Sequence, residues 1–168
     1  NTSLALILGN GSQYDQALQA ADDARLDFSL AEAGRGVGIG LITHGMICRK
    51  RAEEWREINY PLSRASRDTE TAEADLRQAA TIFADDVTEP IHQVEIYNEL
   101  GCCLRARYLI QKEYQDSNPY HLKTILDQGE SSFNQSIKLA TDHGFQVEFL
   151  DSLQDLSVLY LRANQLDK

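Results

Sequence analysis

A helical pattern recurs along this chain at a regular interval, and it limits the possible folds more strongly than any single motif. Gly45, Gly101 and Ser157 follow one another at an offset of 56 in residue number. At an offset of 57, small and bulky residues recur in three pairs: Ala72 and Gly129, Leu76 and Phe133, and Ala79 and Ser136. A fixed period of this length predicts two-helix units stacked side by side as a solenoid. Such a fold favours a surface for another macromolecule over a pocket built for catalysis.

Apolar residues at spacings of three and four predict helices along nearly the whole chain. The predicted segments are a stub over Leu4–Leu8 and six helices: Tyr14–Ala33, Val37–Ile58, Thr69–Phe83, a helix from about Pro90 through Tyr108, Tyr120–Asp142 and Phe145–Arg162. Phe28 and Ala31 are expected on the inward face of the first of these six. We expect Ser12 to cap that helix, and Gly144 to end the fifth in a left-handed C-cap. The sequence therefore predicts an all-α protein.

Length and charge limit the domain count and the class of partner. A chain of 168 residues is the size of one ordinary domain, so residues 1–168 are expected to form a single helical-repeat domain. The net charge of -10 opposes contact with nucleic-acid phosphates and anionic lipids. No apolar run approaches the roughly 20 residues needed to span a bilayer. We therefore expect neither nucleic acid nor a membrane as a partner.

Cysteine usage and the first residues predict the cellular context. Two of the three cysteines, Cys102 and Cys103, are adjacent in a helical pattern, where a mutual disulfide would be strained. An odd number without a spaced framework indicates a reducing compartment. The chain opens with Asn1-Thr2-Ser3, without an initiator methionine or a leader pattern. We therefore expect a fragment of a larger cytoplasmic protein.

Three segments resemble the helices of the tetratricopeptide-repeat family. Residues 156–168 are similar to the first helix and turn of that repeat; Tyr97, Leu100 and Gly101 are similar to its first helix, and Gly129, Phe133 and Ser136 to its second. The resemblance implies a right-handed α-solenoid of antiparallel helix pairs. The family's usual repeat is about 34 residues, so each pair here needs longer helices or an insertion. Gln93-Val94-Glu95 also recurs as Gln146-Val147-Glu148 at an offset of 53, so either one of the two matches is fortuitous or a helix gains nearly one turn. A non-repeating helical bundle is the alternative architecture.

The same resemblance places the first helix of each pair along a concave groove. The residues that it selects as partner-binding are Arg49, Lys50, Asn98, Arg105 and Arg162. Basic residues at 49–51 and 105–107 recur at an offset of 56 in an otherwise acidic chain. Guanidinium groups pair well with carboxylates, which predicts an acidic peptide as the guest. Alternatively, basic residues in the second half of a helix complement its dipole on a solvated face without any ligand.

Patterns that would indicate catalysis or metal binding are weak. Glu89 and His92 have the Glu-x-x-His spacing of carboxylate-bridged metal centres, but in one copy only, which favours a capping or surface role. The glycine-rich run 34–40 lacks the preceding strand and the Gly-Lys-Ser/Thr ending of a phosphate loop, so it predicts close helix packing. Cys102 and Cys103 are expected to be small core residues. We therefore expect no cofactor, no metal and no enzymatic activity.

The function predicted from the sequence is a protein or peptide interaction module within a larger signalling or regulatory protein. The alternative from another class is a helical sensor or enzyme domain with a buried small-molecule or metal site. Self-association is a third option, because an excised solenoid exposes the apolar ends that neighbouring repeats would cover.

Overall fold

The computed structural model of the chain describes residues 2–10, 13–58, 61–84, 89–114 and 118–164. Over these residues the chain forms α1 (Thr2–Asn10), α2 (Tyr14–Leu30), α3 (Gly34–Glu57), α4 (Leu62–Ile82), α5 (Ile91–Glu113), α6 (Pro119–His143) and α7 (Gln146–Asn164). Along this described part of the chain no strand occurs. The prediction of an all-α protein is therefore confirmed.

The glycine-rich run is helical and tightly packed. Helix α3 begins at Gly34, ahead of the predicted start at Val37. A β-carbon on Gly36 would come within 2.3 Å of Phe28 Cδ1, and one on Gly38 within 2.5 Å of Phe83 Cε2. Real β-carbons do not approach other atoms so closely, so these glycines allow aromatic rings to lie against the helix backbone. The predicted close packing at this run is confirmed.

Helix α4 begins at Leu62, well before the predicted start at Thr69. Its first turns bury Ser66 and Asp68 instead of large apolar residues, so the segment lacks the apolar periodicity that predicts a helix. Asp68 is buried because its two carboxylate oxygens accept hydrogen bonds from the Arg51 guanidinium at 2.7 and 2.8 Å. These turns are not predicted because the burial of Asp68 depends on a partner on another helix, and the local sequence does not reveal that partner.

Helix α2 ends at Leu30, before the predicted end at Ala33. The chain turns at Glu32, whose φ of 53° lies in the left-handed region. Ala31 is exposed, so its predicted inward position is wrong: it caps the helix instead of extending its packed face. Phe28 is half-buried.

The predicted helix caps have different outcomes. Gly144 has a φ of 74° and forms the left-handed C-cap of α6, as predicted. Ser12 lies outside the described residues, and Gln13 occupies the N-cap position of α2. At the start of α6, the Asn118 side chain accepts a hydrogen bond from the backbone N–H of Tyr120 at 2.9 Å.

Contacts group the chain into two compact units, Asn1–Asp85 (unit 1) and Asp86–Lys168 (unit 2). In unit 1, α3 packs against α1, α2 and α4. In unit 2, α5, α6 and α7 all contact one another.

The apolar core of unit 1 includes a cluster of Ala5, Ala17, Ala20, Ala21 and Ile47. The core of unit 2 includes Cys102, Phe133, Leu156 and Leu159. Cys102 and Cys103 are both buried thiols, which confirms their predicted place in the core.

The residues that recur in the sequence make equivalent contacts in the two units. In unit 1, a β-carbon on Gly45 would lie 3.1 Å from Leu76 Cγ and 3.2 Å from the backbone oxygen of Ala72. In unit 2, a β-carbon on Gly101 would lie 2.5 Å from Phe133 Cε1. The small residue of one helix therefore faces the bulky residue of the next in both cases. The pairs α3/α4 and α5/α6 thus cross at the same repeat positions.

Candidate functional site

A groove of about 490 Å³ opens in unit 1 between α2, α3 and α4. Its walls are formed by Asp22, Arg25, Leu26, Ser29, Val37, Leu41 and Gln78. Most of these side chains come from α2 and from the first turns of α3. Leu26 is well exposed at the rim, although it is a large apolar residue. The groove therefore combines an apolar wall with charged groups.

A cluster of charged side chains joins three helices beside this groove. The Arg25 guanidinium of α2 lies 3.0 Å from Asp22 Oδ1 and 3.7 Å from Asp75 Oδ1 of α4. His44 of α3 lies between the two carboxylates, with Nδ1 2.6 Å from Asp75 Oδ2 and Nε2 3.9 Å from Asp22 Oδ1. Two carboxylates therefore face one guanidinium and one imidazole. We call these four residues the Asp22–Asp75 cluster.

The neighbouring thiol of Cys48 does not complete a catalytic triad. Its Sγ lies 3.8 Å from His44 Nδ1, the same ring nitrogen that meets Asp75. In a nucleophile–base–acid triad the histidine uses its two nitrogens for the two partners. Burial, followed by the charge of Asp68, raises the pKa of the Cys48 thiol from 9.0 to about 12. The thiol therefore stays protonated at neutral pH and is a poor nucleophile.

Two of the five predicted partner-binding residues lie in unit 1, away from the groove lining. Arg49 is buried, and its guanidinium lies 2.7 Å from Glu53 Oε2 one turn along α3. Lys50 is half-buried on the same helix. The structure therefore places Arg49 beside a carboxylate of its own helix.

Their neighbour Arg51 is held by other groups of unit 1. Its guanidinium bonds to Asp68 and to Asp15, and lies 4.8 Å from the centre of the Trp55 ring. Burial tends to lower the pKa of Arg51, but the hydrogen bond and charge of Asp68 outweigh it and raise the pKa. The basic run at 49–51 therefore includes at least two arginines that already contact carboxylates of the same chain.

Two of the three predicted residues of unit 2 meet at a single carboxylate. The Arg105 guanidinium donates to Asp155 Oδ1 at 2.7 Å and to the Asp155 backbone oxygen at 3.2 Å. The Asn98 amide donates to Asp155 Oδ2 at 3.3 Å. Asn98 and Arg105 are thus brought together, and they tie α5 to α7. Arg162 is exposed in the last turn of α7.

The residues of the Asp22–Asp75 cluster are not among those predicted from the sequence. A usable signal is present for two of them, because His44 and Asp75 fall within stripes of buried residues. His44 follows Leu41 and precedes Ile47 at helical spacing, and Asp75 lies three positions after the buried Ala72. A polar residue in an inward stripe needs a partner when it is buried. Such positions can therefore be selected from periodicity, although their partners cannot.

The Glu-x-x-His pair lies near the start of α5. His92 lies 3.1 Å from Glu89 and 3.2 Å from Glu95, and both carboxylates are exposed. Among the described residues, no group of three or more histidine, cysteine, aspartate or glutamate side chains is placed to hold a metal ion. None of the helices in the described ranges has the length and apolar character required to cross a bilayer.

No family model matches this chain, and no curated protein or solved structure is significantly similar to it. The resemblance of three segments to the tetratricopeptide repeat therefore remains an expectation from the sequence.

Proposed function

We propose that this chain is a protein or peptide interaction module, built as a tetratricopeptide-like right-handed solenoid within a larger regulatory protein. The observation that carries the proposal is the equivalence of two contacts, Gly45 with Leu76 and Gly101 with Phe133. Helix pairs that repeat in register build extended surfaces, and such surfaces serve recognition more often than bond-breaking. The raised pKa of the Cys48 thiol argues against this cysteine as a nucleophile.

We propose the groove of unit 1 as the peptide-binding surface. Leu26 and Val37 offer apolar area for one side chain of a guest, and the groove is open to solvent. Asp22 is half-exposed at this rim, and the two carboxylates of the cluster outnumber the single guanidinium of Arg25. The cluster therefore has more carboxylates than guanidinium groups. A guest with an apolar residue beside a lysine or arginine matches both features.

The acidic peptide expected from the sequence would meet a competitor at its predicted site. An acidic group that approaches Arg105 must displace Asp155, which already bonds to it at 2.7 Å. At Arg49 it must compete with Glu53 at the same distance. The gain from a new ion pair is reduced by the loss of the existing one. For this reason we favour the basic guest in the groove.

A peptide-display selection with the full chain as bait tests this proposal. Ser29 lines the groove, so Ser29→Arg should fill the groove and repel a basic guest. Ser63→Arg is the matched control, because Ser63 is an exposed serine of unit 1 outside the groove lining. We expect selected peptides to combine apolar and basic residues, and to bind the Ser29→Arg protein at least about tenfold more weakly.

The outcomes of the selection separate the possible surfaces. Equal binding to wild-type and Ser29→Arg proteins would exclude the groove as the site. Acidic peptides whose binding falls in Arg162→Glu would instead support the basic surface predicted from the sequence. A selection with no enrichment would contradict the interaction module itself.

A small-molecule sensor is the second candidate, because the groove volume of about 490 Å³ is typical of ligand sites. A small ligand that binds the folded state raises the unfolding temperature as its occupancy increases. Screening a metabolite library for such a rise, with Ser29→Arg as the blocked control, distinguishes this candidate from the peptide-binding module.

A further inference from the structure

We infer that one face of α7, formed by Leu150, Leu153 and Ser157, is a docking site for an antiparallel helix that carries a small residue and a leucine four positions later. This surface lies in unit 2 and is distinct from the groove of unit 1. The inference depends on the repeat register and not on the peptide proposed for the groove.

The structure contains two copies of such a docking arrangement. On α3, Gly38 packs against Phe83, and Gly45 packs against Leu76, both on the segment of α4 and its C-cap. On α5, the position equivalent to Gly38 in the repeat is Val94, and it is covered by α6. Val94 is 1% exposed, and its backbone oxygen accepts a hydrogen bond from the Ser136 hydroxyl of α6 at 2.8 Å. Each of these first helices is therefore covered by the helix that follows it.

Helix α7 has the same positions without such cover. One further repeat step from Val94 reaches Leu150, which is 62% exposed, and the same step from Gly101 reaches Ser157, which is also exposed. Leu153 lies between them on the same face and is 37% exposed. Large apolar side chains that are exposed together on one helix face indicate a surface for another element.

The opposite face of α7 is already packed, which fixes the orientation of the exposed one. The Ser152 hydroxyl lies 2.8 Å from the Ser136 hydroxyl of α6, and both are buried. Leu159 is buried, and its Cδ2 would be 3.6 Å from a β-carbon on Gly129 of α6. Rotation of α7 to bury Leu150 would therefore expose Leu159 and break the serine pair. Within the described part of the chain α7 contacts α5 and α6, and neither covers this face, so an added element is needed to bury it.

The two covered helices indicate what the added element should carry. Helix α4 presents Ala72 and then Leu76 to its partner, and α6 presents Gly129 and then Phe133. Ser157 has a β-carbon where Gly101 has none. At Gly101 a β-carbon would be only 2.5 Å from the Phe133 ring, whereas at Gly45 it would be 3.1 Å from Leu76. A serine at this position therefore favours a partner helix with leucine, like α4, over one with phenylalanine, like α6.

A labelled synthetic peptide with the sequence of residues 61–84 is the direct probe, added to the full chain. The peptide carries the substitutions D68A, D75A and F83A. The first two remove carboxylates whose partners, Arg51 and His44, are replaced by Ala163 and Leu156 at the equivalent positions of α7. The third removes the ring that packs on Gly38, because the equivalent position of α7 carries Leu150. Fluorescence anisotropy measures its binding. A second peptide, also with L76F, tests the preference for leucine. We expect the leucine peptide to bind, and the phenylalanine peptide to bind at least about threefold more weakly.

The variant L150E/L153E should weaken binding of the leucine peptide at least about tenfold, because two charges would be buried under it. L30E/I58E is the matched control: Leu30 and Ile58 are 77% and 61% exposed in unit 1, so it adds the same two charges elsewhere on the chain. Because all four side chains are exposed, the variants should keep the wild-type circular dichroism and unfolding temperature.

Three results would overturn the inference. One is an absence of peptide binding to the wild-type chain. Another is equal binding to L150E/L153E, which would mean that the peptide occupies a different surface. The third is a concentration-dependent dimer that dissociates in L150E/L153E while the peptide does not bind, since a second copy of the chain would then be the occupant. Weaker peptide binding to L150E/L153E, with unchanged binding to L30E/I58E, supports the docking site on α7.

Discussion

The ring of Phe133 lies so close to the backbone of Gly101 that a β-carbon at this glycine would be 2.5 Å from the ring carbon Cε1. Phe133 is fully buried, so the ring has no free volume into which to move. The contact sets how closely α5 and α6 approach. The corresponding contact in unit 1 is that between Gly45 and Leu76.

Gly101→Ala should destabilise the protein in spite of the better helix propensity of alanine. Forcing an extra carbon into a packed core costs about 1–3 kcal/mol, whereas alanine gains about 1 kcal/mol over glycine in a helix. Urea unfolding measures the net loss of unfolding free energy. Gly129→Ala is the control, because its nearest neighbour, Leu104 Cβ, would be at 3.4 Å, an ordinary contact. An equal or higher stability of Gly101→Ala would contradict the close approach.

Gly144→Ala should lower the unfolding free energy for a different reason. No atom lies within 4 Å of a β-carbon built at this position, but its φ of 74° is left-handed. A residue with a β-carbon loses about 1–2 kcal/mol in this conformation. Gly34→Ala also meets nothing within 4 Å and has no such φ, so it should change stability by less than about 0.5 kcal/mol. Similar effects of the two substitutions would argue against the left-handed cap.

The raised pKa of the Cys48 thiol predicts a loss of stability in alkaline solution. The folded state holds the proton more tightly than the unfolded state, because the pKa rises from 9.0 to about 12. The contribution of the protonated thiol to the unfolding free energy is complete below about pH 9 and is lost as the pH rises towards 12. The loss is no more than about 1.4 kcal/mol per pH unit. We expect the wild type to lose more unfolding free energy than Cys48→Ala between pH 9 and about 11. Parallel curves of unfolding free energy against pH for the two proteins would contradict the raised pKa of Cys48.

Arg105 and Asp155 should show a favourable coupling in a double-mutant cycle. Their side chains are mostly buried and 2.7 Å apart, and a charge-assisted hydrogen bond of this kind contributes about 1.5–3 kcal/mol. Removal of Asp155 would leave the Arg105 charge without its nearest carboxylate. The cycle uses Arg105→Ala, Asp155→Ala and the double variant, measured by urea unfolding. Additive losses would show that the pair does not stabilise the α5–α7 contact, and Arg162→Ala serves as the exposed control.

Much of the helical architecture can be predicted from the chain itself. The period of the α-helix is a local property, so it predicts all the long helices, although it does not predict the start of α4, whose buried face carries Ser66 and Asp68. The recurrence of Gly45 and Gly101 also predicts where helices cross, since only small residues permit close backbones.

The ion-pair partners of the charged residues cannot all be predicted in the same way. The resemblance to the tetratricopeptide repeat selects Arg49 and Arg105 as groove residues, and the structure pairs them with Glu53 and Asp155. Glu53 is one turn from Arg49, so this helical ion pair is visible in the sequence. Asp155 is distant in sequence from Arg105, so this pairing depends on how α7 lies against α5.

The helical content and the glycine crossings follow from the amino-acid sequence, because each depends on local periodicity or on residue size. Two other features follow only from the packing of the helices: His44 joins Asp22 and Asp75, and Leu150 is exposed while Val94, 56 positions earlier, is buried. Both outcomes depend on which helix lies opposite a given face. A side chain's burial and partners are set by that neighbouring helix, and residues close in sequence do not encode it.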